Sequence, residues 1–303
     1  MSLIVILGPT AVGKTKLSVQ LAVQLNAEII SADSRQVYRN MDIGTGKDLL
    51  EYTLDGVSVP FHLIDIKEAG EAYNVFDFQQ DFYKAYQKIK KKGKTAILCG
   101  GTGLYLEAAL AEYQMVEVPT NEKLREELAL LEQDELVRRL RLISGTLHNK
   151  TDLLERDRTI RAIEIEEFKK KSQPIKSPIQ DVIVIGLRME REQLRKRIAD
   201  RVNVRWEEGM VEEVEMLLKQ GVTHEQLNYY GLEYRFISQF IKGELSFDEM
   251  NSLLVQAIRR FAKKQMTWYR RMEKKGQYIA WIDAENSSEE KLNRAIEIIK
   301  RKA

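Results

Sequence analysis

The chain has 303 residues, 44% of them hydrophobic and 31% charged, with a net charge of +2. That supports a buried core of one large or two modest domains and by itself says nothing about nucleic acid. A single cysteine excludes an internal disulfide. With only His62, His148 and His224 beside it, no Cys/His metal cluster is available. No apolar run reaches membrane-spanning length and the first residues already read as a strand, not a secretory leader, so a cytoplasmic location without membrane contact is expected.

Residues 3–7 form an apolar run suited to a buried strand. They lead directly into Gly8, Pro9, Thr10, Ala11, Val12, Gly13, Lys14 and Thr15, which is G-x-x-x-x-G-K-[ST]. Leu17, Leu21, Ala22 and Leu25 follow at helical spacing, so the strand–loop–helix context of the motif is present. Backbone N–H groups of such a loop cradle phosphate oxygens at a helix N-terminus. The lysine adds a point charge and the Thr15 hydroxyl can ligate Mg²⁺. The protein is therefore expected to bind a phosphorylated molecule.

A second strand, 28–31, runs into Ala32, Asp33 and Ser34. In a doubly wound sheet this is the ligand end, where a carboxylate can take a proton or hold an amine or hydroxyl; the alternative is a helix cap. A third strand, 95–99, carries Cys99 as a small core residue. It ends in Gly100-Gly101-Thr102-Gly103, not in the acid that P-loop nucleotide hydrolases carry there. That argues against a motor or switch NTPase. Glycines at this point admit the close approach of another molecule, or simply a tight turn.

From 119 to about 171 the pattern changes to charged amphipathic helices, at 122–131, 134–143 and 158–170, with no clear strand. The exit, 171–178, reads as a linker-like hinge. A fourth strand (181–187), a helical stretch (about 191–271), a fifth strand (278–282) and a surface helix (285–303) complete the chain. The expected fold is α/β: a P-loop NTPase-like doubly wound parallel sheet with a helical insertion domain. The core would span 1–116 and 181–303, and the insertion 117–180.

Residues 259–271 hold six cations and three aromatics with no acid. On a helix Arg260, Lys263, Lys264, Thr267 and Arg271 share one side, which suits an RNA backbone with splayed bases; a solvated face is the alternative. Residues 188–205 carry seven Lys/Arg mixed with acids, and Arg156, Arg158 and Arg161 add to the basic count of the insertion. Two other functions share parts of this pattern. A P-loop kinase for a small molecule would use the same phosphate loop, the Asp33 position and lid arginines. An RNA-binding module with a degenerate loop would use only the basic helix, and intact Lys14, Thr15 and Asp33 argue against it.

Taken in order, residues 8–15 (GPTAVGKT), 30–38 (ISADSRQVY), 41–45 (MDIGT), 62–66 (HLIDI), 73–78 (YNVFDF), 100–105 (GGTGLY), 158–165 (RTIRAIEI) and 260–268 (RFAKKQMTW) resemble the tRNA dimethylallyltransferase family over nearly the whole chain. The resemblance implies transfer of a dimethylallyl group from dimethylallyl diphosphate to N6 of the adenosine 3′ of the anticodon. It implies that residues 8–15 and Arg205 hold the diphosphate, with Mg²⁺ on Thr15. Asp33 would be the general base, and the Thr10 and Thr102 hydroxyls would lie near the reacting groups. The tRNA anticodon stem-loop would meet Asp33, Ser34, Arg35, Gln36 and Thr102, then Asp157, Arg158, Thr159, Ile160 and Arg161, and finally Arg260, Lys263, Lys264, Thr267 and Trp268. A monomer is expected. Two stretches depart from the family pattern: Gly46-Lys47-Asp48 replaces a small residue and Lys-Pro, and residues 230–235 (YGLEYR) replace a Gly-Tyr-basic motif.

Overall fold

The structure, a computed structural model, describes residues 2–111, 113–115, 117–144, 153, 155–169 and 175–302. His148 and residues 171–174 of the expected hinge lie outside them. The chain divides into two compact units, Met1–Ala111 with Pro178–Ala303, and Glu112–Ser177.

The first unit is built on β1 (Leu3–Leu7), α1 (Lys14–Leu25), β2 (Ala27–Ser31), the short strands β3 (Thr53–Leu54), β4 (Val57–Ser58) and β5 (Phe61–His62), α2 (Val75–Lys91), β6 (Thr95–Gly100) and α3 (Gly103–Ala109). A six-stranded parallel sheet runs β10-β9-β1-β6-β2-β5, where β9 is Val182–Arg188 and β10 is Ala280–Asp283. Alternate residues of β1 feed two cores. Leu3, Val5 and Leu7 pack on the side of Phe78 and Phe82 of α2, while Ile4 and Ile6 pack on the side of Leu17 and Leu21 of α1. Burial on both faces is why these strands read as unbroken apolar runs. All five expected strands are present. The sixth, β5, escapes sequence reading because two residues after Pro60 carry no period.

Between β9 and β10 lie α7 (Arg191–Glu207), α8 (Met210–Lys219), α9 (His224–Tyr230), α10 (Leu232–Ile241) and the long α11 (Phe247–Lys274). Helix α12 (Ser288–Lys302) follows β10. It is more than a surface helix: Ala295 is fully buried, and Leu292, Ile296 and Ile299 pack on the core of α1.

The second unit holds β7 (Tyr113–Gln114), α4 (Glu122–Ala129), α5 (Gln133–Ile143), α6 (Arg156–Lys169) and β8 (Ile175–Lys176). Leu124, Leu128, Leu136, Leu140, Ile160 and Ile163 form its core. Buried Glu164 fastens it by taking Arg125 Nε and Nη2 at 2.9 Å each, Arg161 Nη1 at 3.1 Å and the N–H of Asn121 at 3.0 Å. Strands β7 and β8 pair antiparallel, so residues 175–176 of the expected hinge are sheet.

Candidate functional site

A cavity of about 1010 Å³ opens in the first unit beyond the carboxyl ends of β1, β2 and β6. Its floor is the phosphate loop. Gly8, Ala11 and Gly13 have φ of 155°, 63° and 89°. A Cβ on Gly8 would stand 2.7 Å from the Leu187 carbonyl oxygen, so only glycine fits. Gly13 caps α1 without a side-chain acceptor, which leaves first-turn N–H groups for an anion. Lys14 Nζ donates to the Pro9 carbonyl at 2.8 Å. Burial draws its pKa down to about 8, countered by Cys99 and Asp33 and reinforced by Arg201.

Asp33 lies just past β2 and lines the cavity. Its Oδ1 accepts the Arg35 N–H at 2.9 Å, which makes a turn; no helix follows, so the helix-cap alternative is excluded. The Thr102 hydroxyl accepts the Ser34 N–H at 3.2 Å, and the Thr102 N–H donates to Ala32 at 3.3 Å. Gln36 accepts from Ser31 Oγ at 2.9 Å and donates to the Gly46 carbonyl at 3.0 Å.

The glycines at and just after the end of β6 admit parts of this same chain. A Cβ would stand 2.3 Å from Ala32 O at Gly100, 2.3 Å from Gln265 Nε2 at Gly101 and 2.4 Å from the Trp268 ring at Gly103. The strand therefore has no room for an acid at its end, which explains the missing carboxylate physically. What approaches Gly101 and Gly103 is α11, which also ties the two loops through two residues that sequence reasoning missed. Gln265 Oε1 accepts the Thr10 N–H at 2.8 Å while its Nε2 donates to the Gly101 carbonyl at 2.9 Å. The Tyr269 hydroxyl is shared between the carbonyls of Gly8 (3.0 Å) and Gly101 (3.2 Å). A signal was available: Gln265 sits in the buried stripe of Ile258, Ala262, Tyr269 and Met272, and a carboxamide in such a stripe needs partners.

On the other side of α11, Arg260, Lys263, Lys264 and Thr267 are exposed as expected. Arg260, Lys264 and Trp268 line the cavity, with Phe261. Arg271, further along the helix, is already engaged: it pairs with Glu107 at 2.8 Å and lies 4.0 Å over the Trp268 ring. The Trp268 indole N–H has no partner among the described residues.

Arg205 of α7 is buried and lines the cavity, 3.6 Å from Glu233, with Arg201 beside it. Burial lowers the pKa of Arg205 and raises that of Glu233. The loop at 41–48 is held from outside. Glu213 of α8 accepts the N–H groups of Asp42 and Ile43 (2.7 Å each) and Gly44 (3.0 Å), and the Tyr234 hydroxyl at 2.7 Å. The first stretch that departs from the family pattern is thus structural: Lys47 is fully buried and pairs with Asp42 and Asp65.

In the second unit the 157–161 stretch divides. Thr159 and Ile160 are buried in that unit's packing, not presented to solvent, and Arg161 is spent on Glu164 and on the Val118 carbonyl at 2.7 Å. Asp157 and Arg158 are exposed.

Thr15 lines the cavity with Asp33, and no group of three His, Cys, Asp or Glu able to hold a metal occurs among the described residues. A hydroxyl at the head of α1 fits an Mg²⁺ that brings its other oxygens from phosphate and water, and does not fit a metal caged by protein alone.

The fold and site define a P-loop α/β protein that sets a phosphate cradle against a carboxylate beneath a basic, aromatic helix. The IPP transferase family model matches residues 36–272 and the isopentenyl transferase model residues 1–68. A tRNA dimethylallyltransferase of Parabacteroides distasonis is 51% identical over 299 residues, covering 98% of this chain and 97% of that one. The chain belongs to the tRNA dimethylallyltransferase family. A solved tRNA isopentenylpyrophosphate transferase from Bacillus halodurans is 34% identical with a TM-score of 0.73, covering 99% of this chain and 96% of that one. A eukaryotic dimethylallyltransferase acting on tRNA shares the fold, with a TM-score of 0.81 at 23% identity over 100% of this chain and 81% of that one.

Proposed function

We infer that the protein transfers the dimethylallyl group of dimethylallyl diphosphate to N6 of the adenosine 3′-adjacent to the anticodon of tRNA. The observation that carries this reading is the single cavity shared by the phosphate loop, Asp33, Thr102, Arg205 and the basic-aromatic face of α11. The diphosphate sits on the N–H groups of residues 8–15, with Lys14 and Arg205 opposing its charge. Thr15 would hold Mg²⁺ together with substrate oxygens, and the ion would supply further charge neutralisation on the leaving group. Leu104, Val204 and Phe261, exposed on the cavity wall, suit the apolar dimethylallyl tail.

The target base leaves its stack and enters the cavity. Its N6 amine forms a bond to C1 of the dimethylallyl group, the C1–O bond breaks, and diphosphate departs with the electron pair. The N6 proton passes to Asp33. An exocyclic amine is a weak nucleophile, so a carboxylate on its proton and a fixed approach to C1 both lower the barrier. Arg260, Lys263, Lys264 and Thr267, with Asp157 and Arg158 of the second unit, would meet the RNA backbone and position the stem-loop.

No helix among the described residues is long and apolar enough to cross a membrane. A monomer acting on tRNA in the cytoplasm fits the reading. The rival kinase reading shares the loop and is separated by ligand choice. Dimethylallyl diphosphate with Mg²⁺ should raise the unfolding temperature at micromolar concentration and ATP should do so far less. Stabilisation by ATP alone, with phosphate transfer to a small acceptor, would overturn the proposal.

A further inference from the structure

We propose that Gln265 is a positioning residue whose carboxamide sets the spacing between the phosphate loop and the turn that carries Thr102. The inference rests on the transfer reading above and adds a residue to it. Gln265 is only 6% exposed. Its two ends are fixed by partners of opposite kind: the Thr10 N–H requires an acceptor and the Gly101 carbonyl requires a donor, at 2.8 and 2.9 Å. One neutral carboxamide satisfies both; a carboxylate offers no donor, and an apolar side chain offers neither. Gly101 has no room for a Cβ against Nε2, so the contact is built on both sides.

The bridge has a mechanistic consequence. Thr10 and Thr102 sit at or next to the two anchors, so the reach between their hydroxyls depends on it. The bridge also starts from α11, whose flanking positions Lys264 and Trp268 line the same cavity. RNA seated on that helix therefore bears on both loops through one rigid element, with Tyr269 as a second tie to Gly8 and Gly101.

Three proteins test this: the parent, Gln265→Met and Gln265→Glu, each confirmed folded by its thermal unfolding. Gln265→Met should lower kcat for transfer about a hundredfold at every pH, the scale of an ångström-sized misplacement, with KM for tRNA within about threefold. Gln265→Glu should be as impaired at neutral pH and recover as the pH falls, because the protonated carboxyl again accepts from Thr10 and donates to Gly101. A parental kcat in Gln265→Met, a raised tRNA KM at unchanged kcat, or a pH profile of Gln265→Glu parallel to the parent's would each overturn the assignment. If the parent transfers nothing, the transfer reading fails separately. The same variants are then read by inorganic diphosphate affinity: weakening at least tenfold, reversed by acid only in Gln265→Glu, supports the bridge, and unchanged affinity in both overturns it.

Discussion

Raising the pH should release the diphosphate through one group, Lys14. Burial holds its pKa at about 8, against Cys99 and Asp33, which pull it up. An anion placed on Nζ favours the ammonium and raises that pKa, so binding takes up a proton wherever the free protein has lost one. The sign follows: affinity is complete below about pH 8 and falls above it. Half of Lys14 is charged near pH 8, and about one part in a hundred near pH 10. The dissociation constant should therefore climb by up to about tenfold per pH unit, or about 1.4 kcal/mol each, and about half a proton should be taken up per diphosphate near pH 8. Calorimetric titration with inorganic diphosphate and Mg²⁺, in two buffers of different ionisation enthalpy, measures both quantities. Lys14→Arg stays charged throughout and serves as the reference, because the ligand's own titration is common to both proteins. Parallel curves for the parent and Lys14→Arg would show that Lys14 does not carry the pH dependence.

Replacement of Asp33 by Asn should cut transfer by about 10²- to 10⁴-fold in single-turnover assays while tRNA affinity holds within about threefold. Exchanging Lys263 and Lys264 for Gln should lower tRNA affinity and flatten the slope of log K against log salt by about 1.4 to 1.8 if both meet phosphates; an unaltered slope assigns that face to solvent. Gly103→Ala places a Cβ 2.4 Å from the Trp268 ring and should cost about 1–3 kcal/mol in denaturant unfolding. At buried Glu28, burial pushes the carboxyl up, but hydrogen bonds from Lys92, His62 and Lys94 outweigh it and hold the pKa at about 2. Glu28→Gln should thus lose about 2 to 4 kcal/mol above about pH 4.5, and the difference from the parent should fade as pH drops through about 2 in urea unfolding.

The phosphate loop was legible because its residues, its strand and its helix are contiguous. The strands were legible because burial on both faces leaves an apolar run. Two-residue strands such as β5 and β8 have no such signature, since pairing alone defines them. Longer-range roles were hidden for a different reason. Gly100, Gly101 and Gly103 read as a turn or an opening, but their meaning depends on Ala32, Gln265 and Trp268, the last two about 165 residues away. Thr159 and Ile160 share a motif with Asp157 and Arg158, and only the rotation of α6 separates core from surface. The Gly46-Lys47-Asp48 stretch departs from the family pattern in sequence, and its sense appears only once Asp42 and Asp65 are brought to Lys47.

The most direct measurement is transfer of label from dimethylallyl diphosphate, with Mg²⁺, to unmodified tRNA, followed by nucleoside analysis and fragment mapping. Label is expected on N6 of one adenosine, immediately 3′ of the anticodon. Absence of transfer to tRNA, or label at a site outside the anticodon loop, would overturn the proposed function.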